Sequence, residues 1–201
     1  FTSSAYSNGQ NWYSGTVPTG DVTLNLNTDS AANSPSIATD VSTSSLTVDT
    51  GVSLTISKTG SVQTTGDFTN NGSVTLNSAN NEFSSIVVGG SSIGDITYNR
   101  YVNTVGTDEW DLIGSPVSGQ SINSFITANA GVLASGGGSG SDQYAIGVYD
   151  NATDNWTNYT AATVAGNFTL GQGYQMATVS GAPLAFTGGI ETSSQTQSVI
   201  N

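Results

Sequence analysis

The stretch SLTVDTGVSLTISKTGSVQTTGDFTNNGSVTL, residues 45–76, repeats one short unit, and this repetition limits the possible folds more than any other feature of the chain. Leu46, Leu54 and Val62 stand eight residues apart, each in a run that alternates apolar and polar residues. Such alternation is typical of a half-buried strand. Glycine, asparagine or aspartate follows each run, and these residues suit tight turns. The unit is therefore a short strand that ends in a turn.

Two architectures accommodate such units. One is an antiparallel meander, and the other is a right-handed β-solenoid in which three units make one coil of about 24 residues. The inward positions of a solenoid need stacked aliphatic side chains, and this stretch supplies leucine, valine and isoleucine together with Phe68. The pattern therefore favours a solenoid. Its exposed end coil must be covered, either by the aromatic N-terminal segment at Trp12 and Tyr13 or by a second domain.

The residue composition of the chain changes near residue 103. Large aromatic residues in alternating strands with long loops indicate a β-sandwich-like domain. The sequence therefore predicts an all-β protein with a solenoid-like repeat region and its N-terminal cap over residues 1–102, and a sandwich-like domain over residues 103–201. Within the second domain, residues 122–135 could contain a short helix, and the segment GVLASGGGSGSDQ, residues 131–143, is predicted to be a flexible connector. The aromatic residues of this half include Trp110, Phe125, Tyr144, Tyr149, Trp156, Tyr159, Phe168, Tyr174 and Phe186.

The charge of the chain excludes two classes of partner. Charged residues make up 8% of the sequence, against about 25% in typical soluble proteins. Lys58 and Arg100 are the only cations, and the formal net charge is −12. Nucleic-acid binding depends on many cations that displace counterions, and anionic lipid would be repelled. We expect neither nucleic acid as a partner nor direct membrane insertion, since no apolar run reaches 18 residues.

The chain has neither histidine nor cysteine. Disulfides, thiolate metal sites and a Ser-His-Asp triad are therefore excluded. The segment TDEWD carries the carboxylates Asp108, Glu109 and Asp111, and paired carboxylates are the arrangement of glycosidases. In an extended strand, however, Asp108 would point away from the other two. We interpret the segment as a solvated acidic turn, and we expect no enzymatic activity.

The segment DNATDNW, residues 150–156, could hold a metal ion. Asp150, Asn151 and Asp154 place oxygen ligands in one loop, which could bind Ca²⁺. The alternative is a hairpin turn in which aspartate and asparagine accept hydrogen bonds from the neighbouring backbone. No other cofactor is predicted.

Exposed aromatic residues could bind sugars, because a flat ring can stack on the apolar face of a pyranose. We predict Trp156, Tyr159 and Trp110 as ligand-binding residues, and Trp156 is the first to test because it stands next to a polar loop. The alternative is that these rings belong to the core, with the indole N–H hydrogen-bonded.

Several segments together resemble secreted surface proteins of Bacteroidetes. Three segments are similar to the repeat region of those proteins: the opening from Trp12 to Pro18, the repeat units from Leu46 to Ile56, and the unit from Gly66 to Gly72. The resemblance implies export by type IX secretion, with the secretion machinery as a partner, and display outside the cell. Ser30, in Asp29-Ser30-Ala31, resembles their O-glycosylation sites. The second half is similar to the region that follows the repeats, in residues 110–122, 144–159, 168–177 and 184–190.

These observations predict a structural or adhesive module of an extracellular, bacterial cell-surface protein, whose partner is an extracellular glycan or a neighbouring surface protein. Two alternatives are a carbohydrate-binding module that recognises glycans through exposed aromatic residues, and a filament-forming surface subunit.

Overall fold

A computed structural model describes residues 5–12, 14–25, 34–106, 110–138 and 141–197. The chain divides into two compact units. The first comprises residues 1–98 and 188–192, and the second comprises residues 99–187 and 193–201. The sequence places the boundary after residue 102, whereas the division falls within a strand, between Tyr98 and Asn99. The return of residues 188–192 to the first unit has no signal in the repeat pattern.

The first unit consists of short strands that follow one another closely. A 3₁₀ helix at Gly9–Asn11 precedes them. The strands are β1 (Asp21–Leu24), β2 (Ser36–Ile37), β3 (Asp40–Thr43), β4 (Ser45–Val48), β5 (Ser53–Ile56), β6 (Ser61–Thr64), β7 (Phe68–Asn70), β8 (Ser73–Ala79), β9 (Glu82–Phe83), β10 (Ser85–Val88), β11 (Ser92–Ile93) and β12 (Ile96–Val102), whose last residues belong to the second unit.

Successive strands of the first unit join different sheets in rotation, as a solenoid requires. In the described part of the chain, β1, β4, β7 and β11 form one parallel sheet, and β3, β6 and β10 form another. A third contains β2, β5 and β8, also parallel to one another, with β12 beside β8. The repeated units β4, β5 and β6 therefore make one coil. The predicted solenoid is confirmed, with about three turns.

The inner face of the coils consists of stacked apolar side chains. Leu46, Leu54 and Val62 are each 1% exposed. In the first sheet, Val22 pairs with Leu46 and Leu46 pairs with Phe68, so that buried residues of successive coils lie on one another. Burial of one such side chain contributes about 1.5–3 kcal/mol. The eight-residue spacing therefore specifies the core of this unit.

Aspartates at the starts of strands connect neighbouring coils on the outside. The Ser45 hydroxyl donates a 2.8 Å hydrogen bond to Asp21 Oδ1, and its partner lies 24 residues away in the chain. The Ser61 hydroxyl donates to Asp40 in the same way at 2.7 Å, over 21 residues. Acidic residues therefore accept hydrogen bonds from the next coil.

The N-terminal segment pairs with the first coil. Tyr6 is buried, and its backbone N–H donates to Ser36 of β2 at 2.8 Å. The indole N–H of Trp12 donates to the Tyr6 carbonyl at 2.9 Å, and the two rings meet edge to face with centroids 4.8 Å apart. This part of the segment thus forms an aromatic attachment to β2. Tyr13 lies outside the described residues.

The second unit is an antiparallel sheet with one helix in its described part. Within that part, β13, β17, β15 and β14 lie in this order and β16 pairs with β15, which makes five strands. The predicted all-β fold, a solenoid followed by a sandwich-like domain, is confirmed as a solenoid plus a region of antiparallel sheet, and the short helix is present. The elements are β13 (Asp111–Gly114), α1 (Ile122–Ala128), β14 (Ser135–Gly138), β15 (Ser141–Asp150), β16 (Asn155–Thr160), β17 (Gly173–Met176) and β18 (Ala182–Gly188), whose last residue belongs to the first unit.

Residues 135–138 of the glycine-serine segment form a strand, where the sequence predicts a flexible connector. Ser135 pairs with Tyr144, and Gly138 pairs with Ser141, in the ladder between β14 and β15. Glycine lacks a side chain but keeps both backbone hydrogen-bonding groups, so a neighbouring strand can hold it in a sheet.

Aromatic rings join the helix to the sheet. Phe125 of α1 lies 4.5 Å from Phe186 of β18 and 5.2 Å from Phe168, measured between ring centroids. Phe168 in turn lies 5.0 Å from Tyr174 of β17. These rings form the core of the second unit. No helix among the described residues has both the length and the apolar character to cross a bilayer.

Candidate functional site

Three alanines mark the place where β14, β15 and β17 meet. The backbone N–H of Ala145 donates to Ala134 at 2.7 Å, that of Ala134 donates to Ala177 at 3.1 Å, and that of Ala177 donates to Ala145 at 3.1 Å. All three are buried, and Trp110 is partly buried and packs against them. Because each contributes only a methyl group, the junction leaves room for the indole.

Trp110 also borders an open cleft of about 260 Å³. Its walls combine apolar residues with uncharged polar ones, and no charged side chain is among the described residues that line it. The lining residues are Val105, Trp110, Ala134, Ser135, Gln143, Tyr144, Ala145 and Asn158.

Asn158 is held in the cleft wall by a hydrogen bond across the sheet. Gln175 of β17 donates through Nε2 to Asn158 Oδ1 of β16 at 2.7 Å, although β15 lies between the two strands. The residue of β15 between them is Gly147, which pairs with both. A Cβ at this position would collide with Asn158 Oδ1. The glycine therefore permits the bond, in which Asn158 Oδ1 is the acceptor.

Several polar groups of the cleft have no hydrogen-bond partner among the described residues. They are the side-chain polar atoms of Ser135, Gln143 and Tyr144, the indole N–H of Trp110 and the amide nitrogen of Asn158. Groups of this kind, beside an apolar floor, are the usual composition of a ligand site.

A second cleft of about 240 Å³ adjoins the first. Ile126 and Thr127 of α1 line it, together with Leu133, and it shares Ser135 and Tyr144 with the first cleft. The pair of clefts thus extends from Trp110 to the helix.

The three aromatic residues predicted to bind a ligand do not converge. Trp110 lines the first cleft, whereas Trp156 pairs with Tyr149 near the end of the β15–β16 hairpin. These two rings meet edge to face, with centroids 5.3 Å apart. Trp156 and Asn158 share a face of β16 and stand about 7 Å apart along it. Tyr159 points to the opposite face, where burial and then the neighbouring Tyr174 raise the pKa of its hydroxyl.

The residues predicted to bind calcium lie in the turn between β15 and β16. The carboxylate of Asp150 accepts hydrogen bonds from the Ala152 backbone N–H and the Thr153 hydroxyl, both at 2.9 Å, and these bonds lower its pKa. Asp154 has a φ of +54° and accepts a hydrogen bond from the Tyr149 hydroxyl, which raises the pKa of Tyr149.

Asn151 is exposed in the same turn. The described residues contain no group of three or more histidine, cysteine, aspartate or glutamate residues that could hold a metal. The hydrogen bonds of the turn match the alternative that the sequence offers, a hairpin turn closed by its own side chains. Calcium binding is the other alternative, and removal of calcium with a chelator tests it.

Four other residues that the sequence singles out are not among the described residues of the cleft or the turn. Ser30, Asp108 and Glu109 lie outside the described residues. The carboxylate of Asp111 accepts hydrogen bonds from the Asn103 backbone N–H at 2.8 Å and from its side-chain amide at 3.0 Å. Asp111 is therefore engaged in fixing the start of β13.

Sequence reasoning missed the polar wall of the cleft. Asn158 alternates with Trp156 in NWTNY, which predicts that both lie on one face of a strand. Gly147 interrupts the strand YAIGVYD, and a glycine inside a strand signals a close approach of another group. Nothing in the local pattern indicates that Gln175 comes to the same place.

Comparison with known proteins gives a family but no described activity. No curated protein and no solved structure matches the chain significantly. A family model described as a domain of unknown function, DUF8693, matches residues 1–197. The chain therefore belongs to the DUF8693 family.

Proposed function

We propose that the chain is a structural and adhesive module of a bacterial cell-surface protein, exported by type IX secretion and displayed outside the cell. In this proposal the solenoid unit is a stiff spacer and the second unit provides the contact surface. The observation that carries it is the continuous stacking of buried residues through successive coils, such as Val22 on Leu46 on Phe68.

The stacked coils suit a spacer because each coil buries its inner face on its neighbours. Parallel backbone ladders run through the coils, and the aspartate–serine bonds from Ser45 to Asp21 and from Ser61 to Asp40 tie neighbouring coils together on the outside. The inner positions are occupied by packing residues such as Leu54 and Ile56, both buried. The mechanism would therefore be mechanical: coils that are packed and hydrogen-bonded to one another resist deformation.

The surface chemistry supports a role among other surface molecules. The charged fraction is 8%, so serine, threonine and asparagine dominate the polar exterior. Such a surface offers few charges for nonspecific pairing with oppositely charged partners. The net charge of −12 also keeps copies of the chain apart in solution. Specific adhesion would then depend on the second unit, whose partner would be an extracellular glycan or a neighbouring surface protein.

A flow assay tests the proposal. Beads coated with the purified chain are passed over surfaces coated with neutral polysaccharides, acidic polysaccharides or purified extracellular proteins, and the retained beads are counted. We expect retention on at least one surface, well above that of albumin-coated beads. Retention at the albumin background on every surface would contradict an adhesive function.

A further inference from the structure

We propose that the cleft between Trp110 and Asn158 binds a neutral saccharide. This inference rests on the proposed adhesive function and gives the chemical class of its ligand. It also places the binding site at Trp110. The sequence alone points first to Trp156.

The apolar part of the cleft suits the C–H face of a sugar ring. Trp110 packs on Ala134, Ala145 and Ala177, which holds the indole in place, and it also borders the open space. The face of an aromatic ring carries a partial negative charge, and it attracts the slightly positive C–H groups of a pyranose. A ring that the protein already fixes loses little conformational freedom when a ligand stacks on it.

The polar part of the cleft suits sugar hydroxyls. Because Asn158 Oδ1 accepts from Gln175, the amide NH₂ of Asn158 is left to donate to a ligand. The hydroxyls of Ser135 and Tyr144 can both donate and accept, as sugar hydroxyls do. By contrast, the polar groups of the neighbouring turn, such as those of Asp150 and Thr153, are already bonded to each other. Among the described residues, the side chains of the cleft thus offer more unused donors than Asp150 and Thr153 do.

The charges favour a neutral ligand. The described residues that line the two clefts include no charged side chain, so an ionic group of a ligand would lose water without gaining a partner. The net charge of −12 also repels anions. A peptide that adds a strand to a sheet binds through main-chain groups of the edge. Among the described residues of the cleft, the polar groups named above that have no partner belong to side chains, which favours a saccharide over a peptide.

The size of the site predicts how much of a glycan it recognises. The clefts measure about 260 and 240 Å³, each slightly below the range of about 300–1,000 Å³ for drug-sized ligands. Each is suited to about one sugar ring, and the two share Tyr144 and Ser135. Consecutive rings of one glycan would lie on either side of Tyr144, so a disaccharide should bind more tightly than its monosaccharides.

The experiment starts with an array of neutral and charged glycans, probed with the intact chain. The affinity of the strongest neutral ligand is then measured by calorimetry for the parent chain and for three variants. Trp110→Ala removes the stacking surface and should weaken binding about tenfold or more. Trp156→Ala is the matched control from the same unit and should leave the affinity within about twofold. Asn158→Asp keeps the acceptor for Gln175 but replaces the donating NH₂ with a charged oxygen, and it should weaken binding about tenfold with an unchanged melting temperature.

A second measurement covers the case in which Trp110→Ala destabilises the fold. A variant with Trp12→Phe and Trp156→Phe retains Trp110 as its only tryptophan, since the chain has three. Addition of the glycan should then shift or quench the fluorescence of this residue, whereas an unchanged spectrum at saturating glycan would overturn the site.

Other results would also overturn the inference. They are recognition of charged glycans alone, recognition of no glycan, or an affinity that depends on Trp156 and not on Trp110. If the beads are retained only on protein-coated surfaces, the saccharide inference fails while the adhesive function stands. If the beads are retained nowhere, the adhesive function itself fails.

Discussion

Asn158 and Gln175 are hydrogen-bonded at 2.7 Å although the strand β15 separates their own strands. The bond exists because Gly147 of β15 has no side chain at the point where the two amides meet. It leaves the amide nitrogen of Asn158 at the wall of a cleft that Trp110 closes on another side. The candidate site is thus built by strands that are distant in sequence but adjacent in the sheet.

The role of Gly147 predicts a specific sensitivity to added volume. Gly147→Ala would bring a methyl group against Asn158 Oδ1 and to 2.6 Å from the Thr157 carbonyl oxygen. We expect the free energy of unfolding to fall by about 1–3 kcal/mol, as for other overpacked sites. Chemical denaturation followed by circular dichroism would measure the change.

Gly173→Ala is the matched control for this substitution. Gly173 also lies in a strand of this sheet, β17, but a Cβ there would meet no atom within 4 Å. Its free energy of unfolding should stay within about 0.5 kcal/mol of the parent value. Equal losses in the two variants would show that the effect of Gly147→Ala is not due to the crowding of Asn158.

The buried phenol of Tyr6 predicts a loss of stability at high pH. Burial raises the pKa of Tyr6 from 10.0 to about 12. The neutral form is therefore favoured in the folded state, and its contribution to stability is fully present below pH 10. It should decline as the pH rises from 10 to 12, because the unfolded chain loses its phenolic proton first. Melting temperatures across this range would reveal the decline.

Tyr6→Phe supplies the comparison for the titration. The phenylalanine ring keeps the edge-to-face contact with Trp12 but has no proton to lose. The variant should therefore lose less stability than the parent chain between pH 10 and 12. A parent and a variant with the same pH dependence would contradict the assignment to Tyr6.

The turn at Asp150 predicts how the chain responds to removal of calcium. Both carboxylate oxygens of Asp150 accept hydrogen bonds within the turn, and Asp154 accepts one from Tyr149. The turn is therefore closed by its own bonds, and we expect the same melting midpoint in excess calcium and in excess chelator. A calcium site there would be established if chelator lowers the midpoint of the parent chain and calcium restores it, while calcium does not restore the midpoint of Asp150→Asn.

The sequence predicts the solenoid because its information is local. Leu46, Leu54 and Val62 recur every eight residues, and three such units close one coil. The cleft is different, since Trp110, Ala145 and Asn158 belong to separate segments whose pairing no short pattern reveals. The preference for Trp156 followed from its polar neighbours, whereas the register that places its ring against Tyr149 depends on the hairpin. Local composition also misled at residues 131–143, where glycines are held in a strand by their neighbours.

Residues that point inward hold the coils together, and one pair of substitutions tests this most directly. Ile56 is fully buried in β5, whereas Ser53 of the same strand is exposed. Ile56→Asp places a carboxylate among apolar side chains and should cost about 4 kcal/mol or more, comparable with the whole stability of a small domain.

Hydrogen–deuterium exchange of the backbone amides in β4 to β8 gives the measurement. We expect Ile56→Asp to abolish protection in these strands and Ser53→Asp to retain it. Protection in Ile56→Asp equal to that of the parent chain would contradict the stacked core and, with it, the spacer function.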